Sequence, residues 1–301
     1  MAQDLPITPV KSLTGASGRA IRTAFRKLRP RAVPEGACLV LLLLLASSFM
    51  IEQISPFSSV RGEITDRFLP PEIRPAFWEG HLFGTDQQGR DIFVRTILGA
   101  RYSFAVAAIV VSLSGTLGLI LGMVSGFLGG AVDGFIMRVV DGVLAFPTIF
   151  IIILIAISFG PSLLLLSLIL GLTFWAAPAR GIRALVLSLV NRDFIKASRV
   201  AGASNVRLIA RHIFPHISDY WIIVLSLQTG AAILAEASLS FIGVGIPQPT
   251  PAWGNMVANG RSYVSTAWWV SMFPGLFIVL VVLCVNMLGD WLRDRLDPQF
   301  R

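Results

Sequence analysis

Runs of roughly 20 apolar residues constrain this chain more than any other feature. A helix rises about 1.5 Å per residue and the hydrocarbon layer of a bilayer is about 30 Å thick, so each such run is long enough to cross it. They are read as a first helix from Ala37 to about Ile54, a second from about Arg101 to Phe127 and a third from about Val139 to Phe159. A fourth enters through the turn Gly160-Pro161 and reaches Pro178 and Arg180, a fifth runs from about Trp221 to Phe241, and a sixth from about Trp268 to Leu288. Only 14% of the 301 residues are charged and 54% are hydrophobic, against about a quarter charged in an average soluble domain. That excess must face lipid. The expected fold is all-α and polytopic, with about six transmembrane helices.

Charge sets the orientation. Residues 1–36 carry Lys11, Arg19, Arg22, Arg26, Lys27, Arg29 and Arg31 with few acids, which by the positive-inside rule makes them a cytoplasmic tail ahead of a 37–301 membrane domain. Within the tail Ile21, Phe25 and Leu28 stand at i, i+4 and i+7; a basic amphipathic helix on the inner leaflet and an unstructured tail both fit that spacing. The first apolar run follows too long a basic region for a cleaved signal peptide and precedes further spans, so it reads as retained. The segment from about 55 to 98, with Pro56, Pro70, Pro71 and Pro75 and nearly balanced charges, reads as an external loop. A cytoplasmic loop of about 184–220 follows the fourth span. Six crossings put both termini and that loop on the cytoplasmic side, with most of the 25 Lys and Arg. Trp221, Trp268, Trp269 and Trp291 fall at span ends, where indole rings favour the headgroup zone. The net charge of +8 does not imply nucleic acid, because no basic stripe interleaved with aromatics appears.

Gly118, Gly122 and Gly126 repeat every four residues in the second span. In lipid, helices associate through close packing rather than hydrophobic drive, so this stripe is expected to carry a central helix contact. The third and fourth spans should form a hairpin. Cys38 and Cys284 each lie in an apolar run, where a buried thiol is ordinary, and His81, His212 and His216 form no ligand cluster with them; no metal is expected.

Catalytic signatures are missing. The dipeptide Gly-Lys does not occur, so the phosphate loop G-x-x-x-x-G-K-[ST] is absent and this chain is not expected to hydrolyse ATP. No G-x-S-x-G elbow and no carboxylate pair suited to acid-base chemistry is found. What stands out is the polar segment Asp193 to Pro215, which reads as two short helices broken at Gly202. Ile195, Val200, Val206, Ile209, Ile213 and Phe214 supply its apolar positions, and its arginines would face headgroups or an acidic partner. The external stretch Gly84-Thr-Asp86 and Gly89-Arg90-Asp91 is turn-forming, with charges placed to pair locally and order the loop.

These segments carry a resemblance. Lys196-Ala197-Ser198, then Gly202-Ala203, Arg207 and Ile213-Phe214-Pro215, resembles the E-A-A-x-x-x-G coupling loop of the permeases of binding-protein-dependent ATP-binding-cassette importers, with Lys196 where the family usually has Glu. His81-Leu-Phe-Gly-Thr-Asp-Gln-Gln-Gly-Arg-Asp-Ile92 resembles the external H-P-F-G-T-D-x-x-G-R-D-I motif of the oligopeptide, dipeptide and nickel branch, with Leu82 in place of proline. Glu236-Ala-Ser-Leu-Ser-Phe-Ile-Gly, Pro251-Ala-Trp-Gly254 and Asn286-Met-Leu-Gly-Asp-Trp-Leu-Arg-Asp-Arg-Leu-Asp-Pro298 resemble the same branch, so the likeness covers about residue 80 to the end.

The resemblance implies a non-catalytic, second-permease subunit of a bacterial inner-membrane importer for peptides or a related small solute. It implies as partners a second homologous permease, two ATPase subunits that hold ATP and Mg, an external solute-binding protein and the bilayer, but no nucleic acid. Lys196, Ala197, Ser198, Gly202, Ala203, Arg207, Ile213 and Pro215 would then engage the ATPase, and Gly84, Asp86, Gly89, Arg90 and Asp91 would shape the outer gate. Glu236 lies within a span, where an unpartnered carboxylate costs about 2.5–3.5 kcal/mol, so it should face the bundle interior; packing, helix capping and contact with solute in the pathway all fit. An ion-driven secondary transporter would need broken helices and inverted repeats, and no such repeat is visible. A structural assembly subunit would leave the motifs without a role.

Overall fold

The computed structural model describes residues 32–72 and 80–296. The basic segment containing Ile21, Phe25 and Leu28, the loop stretch 73–79 and the last five residues with Arg301 lie outside them. Helix α1 spans Ala32–Ile54, α2 Ile92–Leu128, α3 Gly130–Ala145, α4 Thr148–Phe159, α5 Leu163–Phe174 and α6 Ala176–Val190. They are followed by α7, Asp193–Val200, and α8, Asn205–Leu208, then a π-turn Ile209–Ile213, α9 Phe214–Ile242, α10 Trp253–Gly260 and α11 Trp269–Leu296. Among the described residues the only β pairing is an isolated bridge between Thr85 and Asp91. Among the described residues five helical stretches are long and apolar enough to cross a membrane: Pro34–Ile54, Ile92–Leu128, Leu163–Val190, Asn205–Ile242 and Trp269–Leu296. The pair α3 and α4 makes a sixth if read as one bent span.

Local chemistry places the boundaries. Asp91 caps α2, its carboxylate accepting from the Val94 amide at 2.8 Å, which satisfies one of the free donors of a helix start. The helix therefore begins at Ile92, nine residues ahead of the apolar run that starts at about Arg101, and takes up the last residues of the 55–98 stretch. The helix stops at Gly129, whose positive φ of 66° suits glycine. The third span is not straight as expected from Val139 to Phe159. Pro147 lacks an amide hydrogen and disfavours helical geometry at Phe146, which is extended (φ −87°, ψ 130°), and the axis bends by 79° there. The fourth span continues through a kink at Trp175 as far as Val190, so the polar segment starts ten residues after Arg180 and ends where α9 begins at Phe214. At the far end of α9 Gly243 (φ 91°) closes the helix, and the Val244 amide reaches the Leu239 carbonyl at 2.9 Å.

Helix α2 is the axis of the fold. Its glycine stripe lies against α6: a β-carbon on Gly118 would stand 2.7 Å from Cβ of Pro178, one on Gly122 2.7 Å from the Ala179 carbonyl oxygen, and one on Gly126 2.8 Å from Cβ of Val186. The close approach expected from the spacing is thus made with the helix that follows the kink. On its other sides α2 packs with α1, α5, α9 and α10 around Leu98, Val106, Val110, Leu170, Ile233 and Trp253. Helices α4 and α5 make the expected hairpin, turned at Gly160. Phe150, Leu154, Ile157 and Phe159 of α4 are two-thirds or more exposed. Such a face would drive aggregation in water but is ordinary against lipid or a partner helix.

Candidate functional site

The segment 191–217 folds into a lobe at the end of α2 and α6. Ile195, Leu208, Ile213 and Ile217 are buried with Phe127 of α2 and Ile182, Val186 and Leu189 of α6. The guanidinium of Arg199 lies 5.9 Å over the Phe127 ring, a cation–π contact that ties the lobe to the tip of α2. The break foreseen at Gly202 is present. Gly202 takes φ +84°, with open space where a β-carbon would be. Its amide donates to the Arg199 carbonyl at 3.0 Å, and the Ala203 amide to Ser198 at 3.1 Å. Ser204 then caps α8 through the Arg207 amide. Pro215 follows directly on the π-turn Ile209–Ile213, whose last bond runs from the Phe214 amide to the Ile209 carbonyl.

Not every apolar position of this lobe enters the core. Ile195 and Ile213 do, whereas Val200 and Val206, on either side of the Gly202 turn, are 90% and 76% exposed. Around them Ala197, Arg207 and Arg211 are exposed, Ser198 and Ala203 are half-buried, and Lys196 is exposed 4.0 Å from Asp193. The result is an apolar tip ringed by bases on a base locked into the bundle.

At the opposite end of α2 the stretches 57–72 and 80–96 form a knot of polar contacts. Asp86 accepts from the amides of Gln88 (2.8 Å) and Arg90 (3.1 Å) and from the Arg90 Nε (2.7 Å). Arg95 stands 3.8 Å away and donates to the Ser59 carbonyl. Asp91, besides capping α2, meets Nδ1 of His81 at 2.7 Å. Asp86, Arg90 and Asp91 are each at most 5% exposed, which buried charges tolerate only when paired and hydrogen-bonded. Gly84 and Gly89 hold positive φ near 73°. A β-carbon on Gly89 would lie 1.9 Å from the Glu63 carbonyl oxygen, so the turn has no room for another residue.

Two indoles lock the knot to the helices. Trp269 of α11 donates to the Thr85 carbonyl at 3.2 Å, and Trp253 of α10 to the Thr96 carbonyl of α2 at 2.8 Å. Trp269 is therefore buried rather than at a headgroup surface, and Trp221 donates to the Gly115 carbonyl at 3.0 Å. Trp268 and Trp291 stay more than a third exposed. Sequence reasoning did not single out Arg95, Ser59, Thr85 or the bonds of Trp253; the available signal was an arginine set inside an apolar run.

Glu236 is fully buried between α9 and α2. Ser240 donates to its carboxylate at 2.7 Å and Ser103 of α2 at 3.4 Å, while Ser240 accepts from the Ile246 amide. Its contacts within the chain join two helices and the loop after α9. Asp141 pairs with Arg180, and Asp133 with Arg183 and Ser125, so both acids of α3 hold α6.

The all-helical body, with a lobe at one end of α2 and a charge knot at the other, has the fold of the permease subunits of ATP-driven importers. A chain from the structure of the MetNI methionine ABC transporter in inward-facing conformations superposes with a TM-score of 0.54 at 15% identity, covering 68% of this chain and 96% of that one. The family described as binding-protein-dependent transport system inner membrane component matches residues 118–301, and this chain belongs to it. Relatives include a putative peptide transport system permease of Brucella suis, 39% identical over 283 residues (93% of this chain, 92% of the relative), and a dipeptide transport system permease of Escherichia coli K12, 42% identical over 279 residues (91% of each). The chain is accordingly a multi-pass inner-membrane permease subunit and not an enzyme in its own right.

Proposed function

We propose that this permease forms half of a translocation pathway for peptides or a related small solute, beside a second homologous permease. The lobe 193–215 docks into two-component ATPase machinery on the cytoplasmic side, where separate subunits hold ATP and Mg. One observation carries the docking role: Val200 and Val206 stand exposed on a lobe whose base is rigidly buried. Apolar side chains left out of an adjoining core, surrounded by charges, suit insertion into a partner's groove. The peptide class rests on the names of the relatives quoted above.

In this reading α3 and α4 make one broken span, giving six crossings with both termini and the lobe in the cytoplasm. The knot at residues 57–72 and 80–96 then faces outward, where it seats an external solute-binding protein and helps form the outer gate. Closure of the ATPase pair pushes the lobe. Because that lobe is fastened to α2 and α6 through Ile195, Arg199 and Ile213, the push rotates the bundle and exposes the pathway to the outer side. Glu236, sealed in this chain by its serines, supports the packing of α9 on α2 and reaches solute only if those contacts open.

The test is co-purification and labelling. An ATPase and a second permease should leave the native membrane with this chain, and uptake should cease when that ATPase cannot hydrolyse ATP. A cysteine at Asn205, in a background lacking Cys38 and Cys284, should react only with reagents that reach the cytoplasm. Labelling of Asn205 from outside intact spheroplasts, or uptake driven by an ion gradient alone, would overturn the proposal.

A further inference from the structure

Arg101 is the last charged residue of α2 before an uninterrupted uncharged stretch from Tyr102 to Leu128. That stretch is about 40 Å long at about 1.5 Å per residue, against about 30 Å of hydrocarbon, so Arg101 lies near the headgroup boundary on the knot side. Its guanidinium is placed over the rings of Phe49 in α1, at 5.3 Å, and Tyr102, at 5.8 Å. Among the described residues no carboxylate pairs with it. The neighbouring arginines Arg90 and Arg95 both stand beside Asp86, which makes Arg101 the odd one out.

Below Arg101 the surface is hollow. A groove of about 600 Å³ lies between α1, α2 and α9, bounded by Leu45, Phe49, Arg101, Ala105, Ala108 and Thr229. Ala108 and Ser112 also line a second groove of about 610 Å³ that continues along α2 past Thr116 to Leu168 of α5. Arg101, Ala108, Ser112 and Thr116 are all exposed, and after Arg101 the small side chains hollow a trough down one face of the helix. A cation at the headgroup boundary, above an apolar trough open to the side, matches one kind of occupant: an amphiphile with an anionic head and a hydrocarbon tail. Opposite charge draws the head, and burial of chain carbons favours the tail. A free carboxylated solute would use the cation and leave the trough unfilled.

We propose that Arg101 and this trough form a binding site for an anionic phospholipid, with the phosphate on Arg101 and an acyl chain laid along Ala105, Ala108 and Ser112. The aromatic faces of Phe49 and Tyr102 hold the guanidinium so that its remaining donors point to the phosphate, the geometry at which arginine surpasses lysine. The experiment is native mass spectrometry of the intact complex exchanged into mixed micelles with phosphatidylglycerol or phosphatidylcholine of equal chain length. The complex should retain phosphatidylglycerol in preference. Arg101→Gln should weaken that retention about fivefold, as expected for the loss of one cation beside an anionic headgroup, with Arg101→Lys falling between. Ala108→Trp, which fills the trough and leaves the cation in place, should lose the lipid as well, and this carries the test should Arg101→Gln fail to fold. Equal retention of the two lipids, or retention of phosphatidylglycerol by Ala108→Trp, would overturn the site. So would an Arg101→Gln complex that keeps its lipid but loses uptake, since the cation would then serve the solute.

Discussion

Arg183 of α6 grips Asp133 of α3 with two nitrogens, Nε on one carboxylate oxygen and Nη2 on the other, and Ser125 of α2 donates to the same carboxylate. Three helices thus meet at one acid. Bidentate pairs of this kind are stronger and more directional than single contacts, and this one is 17% and 29% exposed. The second pair between the same helices, Asp141 with Arg180, is 63% and 51% exposed, where screening leaves little net energy. Asp133→Asn should therefore cost about 1–2 kcal/mol, whereas Asp141→Asn should be near neutral. Thermal unfolding of the detergent-extracted protein separates the two; equal losses would show that burial at this junction does not matter.

The glycine stripe makes a sharper prediction. A β-carbon on Gly122 would sit 2.7 Å from the Ala179 carbonyl oxygen and 2.9 Å from Cβ of Ile182, both on the facing helix, while Gly142 in α3 has open space around it. Overpacking a close helix contact costs about 1–3 kcal/mol. Gly122→Val should lower the midpoint of thermal unfolding and reduce abundance in the membrane. Gly142→Ala should do neither, and a small gain from its higher helix propensity is expected.

The contrast between these two glycines also shows what was legible in the residues alone. A four-residue spacing announces a close contact but not its partner, which is why Gly118, Gly122 and Gly126 could be picked out before Pro178, Ala179 and Val186 were known to face them. Hydropathy located the spans because lipid demands length. It misplaced their ends, because capping by Asp91 and the burial of Arg95 against Ser59 are tertiary effects that pull polar residues into a helix. The bend at Phe146-Pro147 was written in the proline, yet the apolar run on both sides masked it. In the lobe 193–215 the Gly202 turn followed from backbone chemistry, whereas the exposure of Val200 and Val206 did not. Periodicity counts apolar positions without saying which of them a core will reach.

The knot should be separable from the rest of the fold. Asp91 both caps α2 and pairs with His81, so Asp91→Ala removes two contacts and should cost about 1–2 kcal/mol. The loss should be local. Hydrogen exchange is expected to quicken at Gly84, Gly89 and Val94 while the lobe around Ile195 keeps its protection, and solute uptake should fall with abundance little changed. Uniformly faster exchange through both ends would mean that the knot and the bundle unfold as one unit.

The lobe 193–215 yields the most discriminating variants, because the residues that would meet an ATPase are not those that hold the lobe together. Val200→Asp and Val206→Asp replace side chains already 90% and 76% exposed, so stability should change by less than about 0.5 kcal/mol. Placed in an apolar groove, the same carboxylates would be desolvated without a partner, which costs several kcal/mol. ATPase retention on an affinity column should then fall at least about tenfold, since each 1.4 kcal/mol is a factor of ten. Gly202→Pro acts differently. Proline holds φ near −65° where Gly202 needs +84°, and it removes the amide that bonds Arg199, so the turn itself should fail while insertion stays near normal. Lys196→Glu should strengthen or leave unchanged the ATPase contact if Lys196 faces solvent or a base, and weaken it if the groove is acidic there. A permease that keeps its ATPase and full uptake with Val200→Asp, Val206→Asp and Gly202→Pro together would leave the lobe without a coupling role, however well its base is packed.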